Sequence, residues 1–267
     1  MKQVIIFKGG LGNQLFQYGM YTYRKYVLHR DVAYLYRESD HNGFEVDKYF
    51  DVDIRKASLL YSIMYWLAWR LYKYGINRSL LWLKEDKEDD SRVIYINGYW
   101  QDRKYILHPG FDLKFKPLPL SRRNETIAQA MRQTSSIAIH VRRGDFLTPA
   151  NSKMLYQLNA DYFKEAIKIC MGKIYPPHRL FFFSDDIAWV RENLKYDDAV
   201  YIDWNKGNDS IYDMYLMSLA SANVIPNSTF SFWSAFLNKR NPIVVYPKKW
   251  FNNGDTRNIF PDDWIAL

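Results

Sequence analysis

Seven short apolar runs recur along the chain, most of them followed by a stretch with helical spacing. They are QVIIF (3–7), RVIYING (92–98), SIAIHV (136–141), RLFFFS (179–184), AVYID (199–203), ANVIP (222–226) and PIVVYP (242–247). Helices are expected at Asn13–His29, Ala160–Met171, Ile187–Leu194, Ser210–Ala220 and Thr229–Asn238. Short apolar strands alternating with helices fit parallel sheet layers covered by helices, so the expected class is α/β. The rhythm breaks at HPGFDLKFKPLPLSRRN (108–124), which holds three prolines. Proline lacks the N–H that a helix or inner strand needs, so this stretch is the expected boundary. It divides an N-terminal lobe, 1–115, from a C-terminal lobe, 116–267, with five of the seven strands in the second.

The first strand runs into KGGLGNQ. Gly10 and Gly12 fit the start of a G-x-G-x-x-G dinucleotide turn, but Leu15 stands where the third glycine belongs. No Lys-Ser or Lys-Thr follows, so it is not a Walker-type phosphate loop either. Asn13 and Gln14 are presented at the helix start, while Leu15, Phe16, Gly19, Met20, Tyr23 and Val27 recur at core-facing spacing.

Charged groups gather at the carboxyl ends of three other strands, where α/β proteins hold their ligands. IAIHVRRGDF (137–146) delivers His140, Arg142, Arg143 and Asp145. Alternation puts His140 and Arg142 on one face and Arg143 on the other. Arg142 is the candidate grip on a phosphate, for which guanidinium is the better fork, and Arg143 the candidate partner of a protein carboxylate. Both arginines as solvated surface charges is the other reading, as is Asp145 merely capping the turn. FFFSDD (181–186) ends in Asp185 and Asp186. These are a ligand-binding pair, or else part of a helix cap with Ser184 or Asp185 at the N-cap. VIPNSTFSFW (224–233) leads through Asn227, Ser228, Thr229 and Phe230 into an aromatic helix. Its N-terminus is an anion site in one reading and a plain Ser/Thr cap in the other.

Other features narrow the function. The formal charge of +8 suits anionic partners, yet no dense Lys/Arg block or nucleic-acid-binding signature is present. The histidines at 29, 41, 108, 140 and 178 are scattered, and Asp51-Val52-Asp53 has the D-x-D form but no strand before it, so no metal is expected. The single cysteine, Cys170, is in register with Phe163, Ala166 and Ile167 and reads as core. The segment SLLYSIMYWLAWRLYKYG (58–75) is apolar all round but too short to span a bilayer. It is either a buried helix or a membrane- or lipid-acceptor-contacting one, for which Arg70, Lys73 and Arg78 would suit an anionic interface. Asn227-Ser228-Thr229 matches a glycosylation sequon, but the first seven residues read as a strand rather than a secretory leader. A cytoplasmic protein is expected, with peripheral contact to the inner face of the plasma membrane through 58–78 as the extension of that reading.

Together GGLGNQLFQYG, HVRRGDF, FFSDDIAWVREN, NSTFSFWSAFLN and YPKKWF resemble, in order and spacing, the bacterial α-1,2-fucosyltransferases of glycosyltransferase family 11. The resemblance spans nearly the whole chain except 30–90. It implies a GT-B-like fold, two Rossmann-like lobes with parallel sheets facing a central cleft, the first on the acceptor side and the second binding the GDP-sugar. It implies inverting transfer of L-fucose from GDP-β-L-fucose to O2 of a galactose in a glycan, as in O-antigen or surface polysaccharide synthesis, without a cofactor or metal. By motif, Arg142 resembles the arginine on the diphosphate, and His140 and Asp186 resemble residues near the guanine. Ser228, Thr229 and Phe230 match the turn that closes on the phosphates, Asn13 the asparagine near the lobe interface, and Asp213 a recurrent acid. The implied donor-binding set is Gly10, Gly12, Asn13, His140, Arg142, Arg143, Asp185, Asp186, Asn227, Ser228, Thr229 and Phe230. Arg142, Asp145 and Asn13 are the catalytic candidates, Asp145 as the base. The alternatives are a transferase using another sugar nucleotide and a non-catalytic GDP- or sugar-binding protein.

Overall fold

The structure is a computed structural model, and it describes residues 2–37, 42–74, 82–83, 93–254 and 257–267. Two compact units divide the chain, residues 1–116 and 117–267. Arg78 and His41 lie outside the described residues, as does Arg92 at the start of the expected second strand.

The first unit runs β1 (Gln3–Phe7), α1 (Leu11–Thr22), β2 (Val32–Tyr36), α2 (Val46–Tyr49), α3 (Leu59–Lys73), β3 (Trp82–Leu83) and β4 (Tyr95–Asn97). Its four strands form a parallel sheet in the order β2-β1-β4-β3. Every residue of β1 is buried, which is why that strand reads as an unbroken apolar run. Val4, Ile6, Ala33, Leu35 and Tyr95 pack with Tyr65 of α3 on one face.

The helix expected over Asn13–His29 ends as an α-helix at Thr22. The Thr22 hydroxyl donates back to the Tyr18 and Gly19 carbonyls, and the backbone then widens into a π-turn over Tyr23–Val27. A threonine bonding its preceding turn loosens the regular ladder at that point. Val27, expected in the core, is consequently 40% exposed. Segment 58–75 also departs from the buried reading. Tyr65 and Ala68 of α3 are buried, but Leu59, Leu60, Ile63, Trp66, Leu67 and Leu71 face out.

The second unit continues with α4 (Arg122–Gln133), β5 (Ser135–Val141), α5 (Pro149–Met154), α6 (Ala160–Lys173) and β6 (His178–Ser184). Then come α7 (Ile187–Asn193), β7 (Val200–Ile202), α8 (Ser210–Met217), β8 (Ala222–Val224), α9 (Thr229–Phe236), β9 (Ile243–Tyr246) and β10 (Ile265–Ala266). The six strands are all parallel, ordered β10-β9-β8-β5-β6-β7. The period of two sorts β5 between two cores. Ile137, Ile139 and Val141 face α6 and α7, with Phe163, Ala166, Ile167 and Cys170 beneath them. Ala138 faces the opposite layer with Phe181, Phe183, Met131 of α4 and Met217 of α8. Helices therefore cover both faces, and burial pushes the Cys170 thiol up to about 12, leaving it an inert core group.

Candidate functional site

In the second unit the chain starts at β5, moves outward through β6 and β7, and returns to β8 on the other side of β5 before moving out through β9 and β10. The strand order reverses between β5 and β8. Loops that leave neighbouring strands toward opposite faces open a crevice at their carboxyl ends, the usual ligand position in such sheets. β5 delivers Arg142 and Arg143 there, β6 delivers Asp185 and Asp186, and β8 leads through Asn227 and Ser228 into α9.

Arg142 forks between two carboxylates. Its Nη1 is 2.9 Å from Asp185 Oδ2 and its Nη2 is 2.8 Å from Asp145 Oδ1. The two partners are held very differently. Asp185 also accepts the backbone N–H groups of Arg143 at 2.9 Å and Gly144 at 3.1 Å, so it fills an anion nest made by the turn itself. A Cβ on Gly144 would stand 2.8 Å from Asp185 Oδ2, so glycine permits that approach. Asp145 meets Arg142 from a short turn and is 52% exposed on its side chain. With the Arg142 side chain itself 35% exposed, a pair of this kind contributes only ~0–1 kcal/mol and an incoming anion can exchange with it.

Arg143 points elsewhere. Its Nε is 3.3 Å from Asp186 Oδ2 and its guanidinium lies 4.2 Å over the Trp189 ring. Asp186, through Oδ1, is also the N-cap of α7, accepting from Trp189 N at 3.1 Å. The expected cap at Ser184 or Asp185 is thus one or two residues early. Asp185 is drawn into the β5 turn instead, and Ser184 Oγ accepts the Asp186 N–H.

His140 is buried under α9, its Nδ1 hydrogen-bonded to the Ser231 hydroxyl and its ring 5.9 Å from that of Phe230. Burial, reinforced by the Arg142 charge and opposed by Asp185, lowers its pKa to about 4, so the imidazole is neutral near pH 7. Ser228 is the N-cap residue of α9 but its side chain makes no capping bond. Asn227 is buried and its amide donates to the Tyr156 and Trp250 carbonyls at 3.0 and 2.8 Å. That amide braces the loop after β8. Asp213 on α8 accepts from Asn205 at 2.7 Å, and Asn205 is in turn locked to Asn124 of α4. Burial and the nearby Asp203 raise the Asp213 carboxyl to about 7, against the opposing Asn205 bond.

Gly10, Gly12 and Asn13 belong to the first unit, at the carboxyl end of β1. Asn13 Oδ1 accepts from Gln101 Nε2 at 2.9 Å. Two buried glutamines on α1 hold the turn. Gln14 donates to the Gly9 and Gly43 carbonyls and accepts the Glu45 N–H, while Gln17 accepts the Lys8 N–H and donates to the Gly98 carbonyl. Gly9, at φ +75°, makes the bend that glycine alone enters freely.

A cavity of about 580 Å³ in the same unit is walled by Tyr34, Tyr36, Phe44, Tyr65, Trp66 and Trp69. Arg37 lies 4.3 Å over the Trp69 ring and donates to the Tyr65 hydroxyl. Asp53 of the D-x-D sequence is engaged by Lys25 Nζ at 2.6 Å, and among the described residues no three His, Cys, Asp or Glu side chains cluster as metal ligands would. No helix among them is long and apolar enough to cross a membrane.

Sequence reasoning missed Trp189, Ser231 and Gln101. Each acts on a partner 46, 91 or 88 positions away, at a distance no local pattern reports.

The family model described as Glycosyl transferase family 11 matches residues 5–267. An α-1,2-colitosyltransferase of Escherichia coli is 26% identical over 97% of this chain and 96% of its own length. The O-antigen biosynthesis glycosyltransferase WbnK of Escherichia coli is 35% identical over 50% of this chain and 45% of its own length. Among solved structures, NodZ α-1,6-fucosyltransferase soaked with GDP-fucose aligns with a TM-score of 0.57 at 15% identity, covering 89% of this chain and 93% of that one. At that identity the likeness speaks for the fold alone, an α/β fold of parallel sheets in the GT-B-like class.

Proposed function

The chain belongs to glycosyl transferase family 11, and on that premise we propose that it moves L-fucose from GDP-β-L-fucose to O2 of a galactose in a surface glycan, with inversion. The observation that carries this reading is Arg142. It is a partly exposed guanidinium at the strand-order reversal, with one carboxylate partner fixed and the other exchangeable. In the proposed cycle the donor diphosphate takes the place of Asp145 on Nη2, while Asp185 keeps hold of Nη1. As GDP departs, negative charge grows on the β-phosphate and the fucose becomes oxocarbenium-like. The Arg142 fork and the positive N-terminal end of α9, beginning at Thr229 and Phe230, stabilise that charge where it develops. Asp145, displaced from Arg142, becomes the carboxylate available to take the proton of the attacking hydroxyl. The ring of neutral His140 and the Arg143–Asp186–Trp189 cluster keep the donor side rigid.

The first unit is read as the acceptor side. Its aromatic-walled cavity offers ring faces of the kind on which sugars stack. The reaction is read as metal-independent, since a fixed guanidinium and helix-end N–H groups supply the charge stabilisation.

A turnover panel of GDP-fucose, GDP-colitose, GDP-mannose and UDP-sugars, with a galactose-terminated acceptor and with EDTA present, tests the reading. GDP-fucose should be the substrate. No transfer from any donor, with GDP still bound, would leave only a binding protein. The named relative that matches almost the full chain favours GDP-colitose as the second donor. Colitose is fucose lacking one hydroxyl, so a site that hydrogen-bonds that hydroxyl would reject it strongly.

A further inference from the structure

Helix α3 carries an apolar face that no described part of the chain covers. Leu59, Leu60, Ile63, Trp66, Leu67, Leu71 and Tyr74 are exposed, from 47% at Leu71 to 76% at Tyr74. At about 100° per residue these positions fall within a single arc of roughly 140°, and the buried Tyr65 and Ala68 lie opposite. The stripe runs about 22 Å along the helix at 1.5 Å per residue. An exposed apolar surface of this extent is ordinarily an interaction site. Charge indicates the partner. From Leu59 to Tyr74 the charged residues are Arg70 and Lys73, both cationic. Arg70 is exposed within the arc itself, its guanidinium 4.6 Å over the Trp66 ring. Leucines flanked by tryptophan, tyrosine and arginine match the layers of an anionic bilayer surface. Acyl chains take the apolar groups, the carbonyl region takes the indole and phenol rings, and phosphates take the cations. The helix is too short and too charged at its end to span, so it would lie in the plane of the interface.

We propose that the exposed face of α3 docks the protein peripherally on an anionic phospholipid membrane. Nothing in this depends on which sugar nucleotide is used. The test is co-sedimentation of the full chain with vesicles of phosphatidylcholine mixed with phosphatidylglycerol, against vesicles of phosphatidylcholine alone. The bound-to-free ratio should be at least about tenfold higher on the anionic vesicles and fall with added salt. The variants Leu60→Gln/Leu67→Gln and Arg70→Glu, all at exposed positions, should release the protein while far-UV circular dichroism stays unchanged. GDP binding measured on the same samples reports the donor site separately, so a chain that binds vesicles but not GDP overturns the transferase reading and leaves this one standing. The docking proposal is overturned if the chain stays in the supernatant with both vesicle types, or if the variants sediment with vesicles as the parent does. It is also overturned if the chain is a dimer that the variants convert to monomers without any vesicle binding, which would make a second copy the occupant.

Discussion

Arg142 and its two carboxylates make separable predictions. Arg142→Ala should lower kcat by ~10²–10³ with the fold intact, the usual loss when one donor to a developing oxyanion is removed. Circular dichroism alongside turnover checks both halves, and near-normal turnover would refute the phosphate assignment. Asp145→Asn separates two roles for the acid. If Asp145 takes the proton, kcat falls by ~10²–10⁴. At the same time GDP binding, measured by calorimetry, should tighten, because the competing anion on Arg142 has been neutralised. Gly144→Ala places a methyl 2.8 Å from the Asp185 carboxylate. It should destabilise by ~1–3 kcal/mol and raise the donor KM by letting Arg142 drift. Asp213 carries the pH dependence. Folded, its carboxyl holds a proton up to about pH 7, whereas unfolded it releases it near the ordinary carboxylate value of about 4. The folded state is therefore favoured below that value, and the advantage drains away as pH rises through 7. Asp213→Asn, which can still accept from Asn205, should flatten the profile and stabilise by roughly 2–4 kcal/mol at pH 8 relative to pH 4. Melting temperatures of parent and variant across that range decide it.

At the scale of elements, the turn after β1 is held by α1 rather than by its glycines alone. Gln17 satisfies the Lys8 N–H and the Gly98 carbonyl, at the ends of β1 and β4. Gln17→Leu removes the partner of the buried Gly98 carbonyl and of the part-buried Lys8 N–H and should cost about 1–3 kcal/mol in a urea titration. The absence of a third glycine at Leu15 is intelligible from the same geometry, since Leu15 is fully buried against the sheet. The inner strands β1, β5, β6, β8 and β9 were legible in the sequence because parallel strands buried on both faces read as apolar runs. Element ends were less so, as the early end of α1 at Thr22 shows. Helix α4 escaped notice because its buried positions Asn124, Ala128 and Met131, although spaced i, i+4, i+7, include one polar and one small residue, so the twelve residues read as a polar stretch. Strand β2 escaped for the opposite reason. Its VAYLY run lacks flanking glycine or proline, and its bridge to the segment around Lys56 forms only in the folded chain. Of the candidate site, the charged residues at strand ends could be read directly. Which carboxylate after β6 grips which arginine could not, because Arg142–Asp185 and Arg143–Asp186 each meet across 43 positions.

The whole molecule is basic, with a formal charge of +8, while the proposed donor is anionic. Raising ionic strength from about 0.05 to 0.5 M should raise the donor KM severalfold and leave kcat nearly unchanged, since screening acts on encounter and binding. Initial-rate measurements over that range check it. Placement of β5 at the centre of the second sheet also governs how that sheet is assembled. Ile137 pairs with Leu180 on one side and with Ala222 on the other, so one neighbour is close in sequence and the second arrives after most of the unit. A refolding chain can complete β5-β6-β7 while the far edge of β5 is still bare. An uncovered, apolar strand edge is a template for other chains. The strand that carries the arginines is thus the one through which incompletely folded copies would pair, and refolding yield should fall as protein concentration rises.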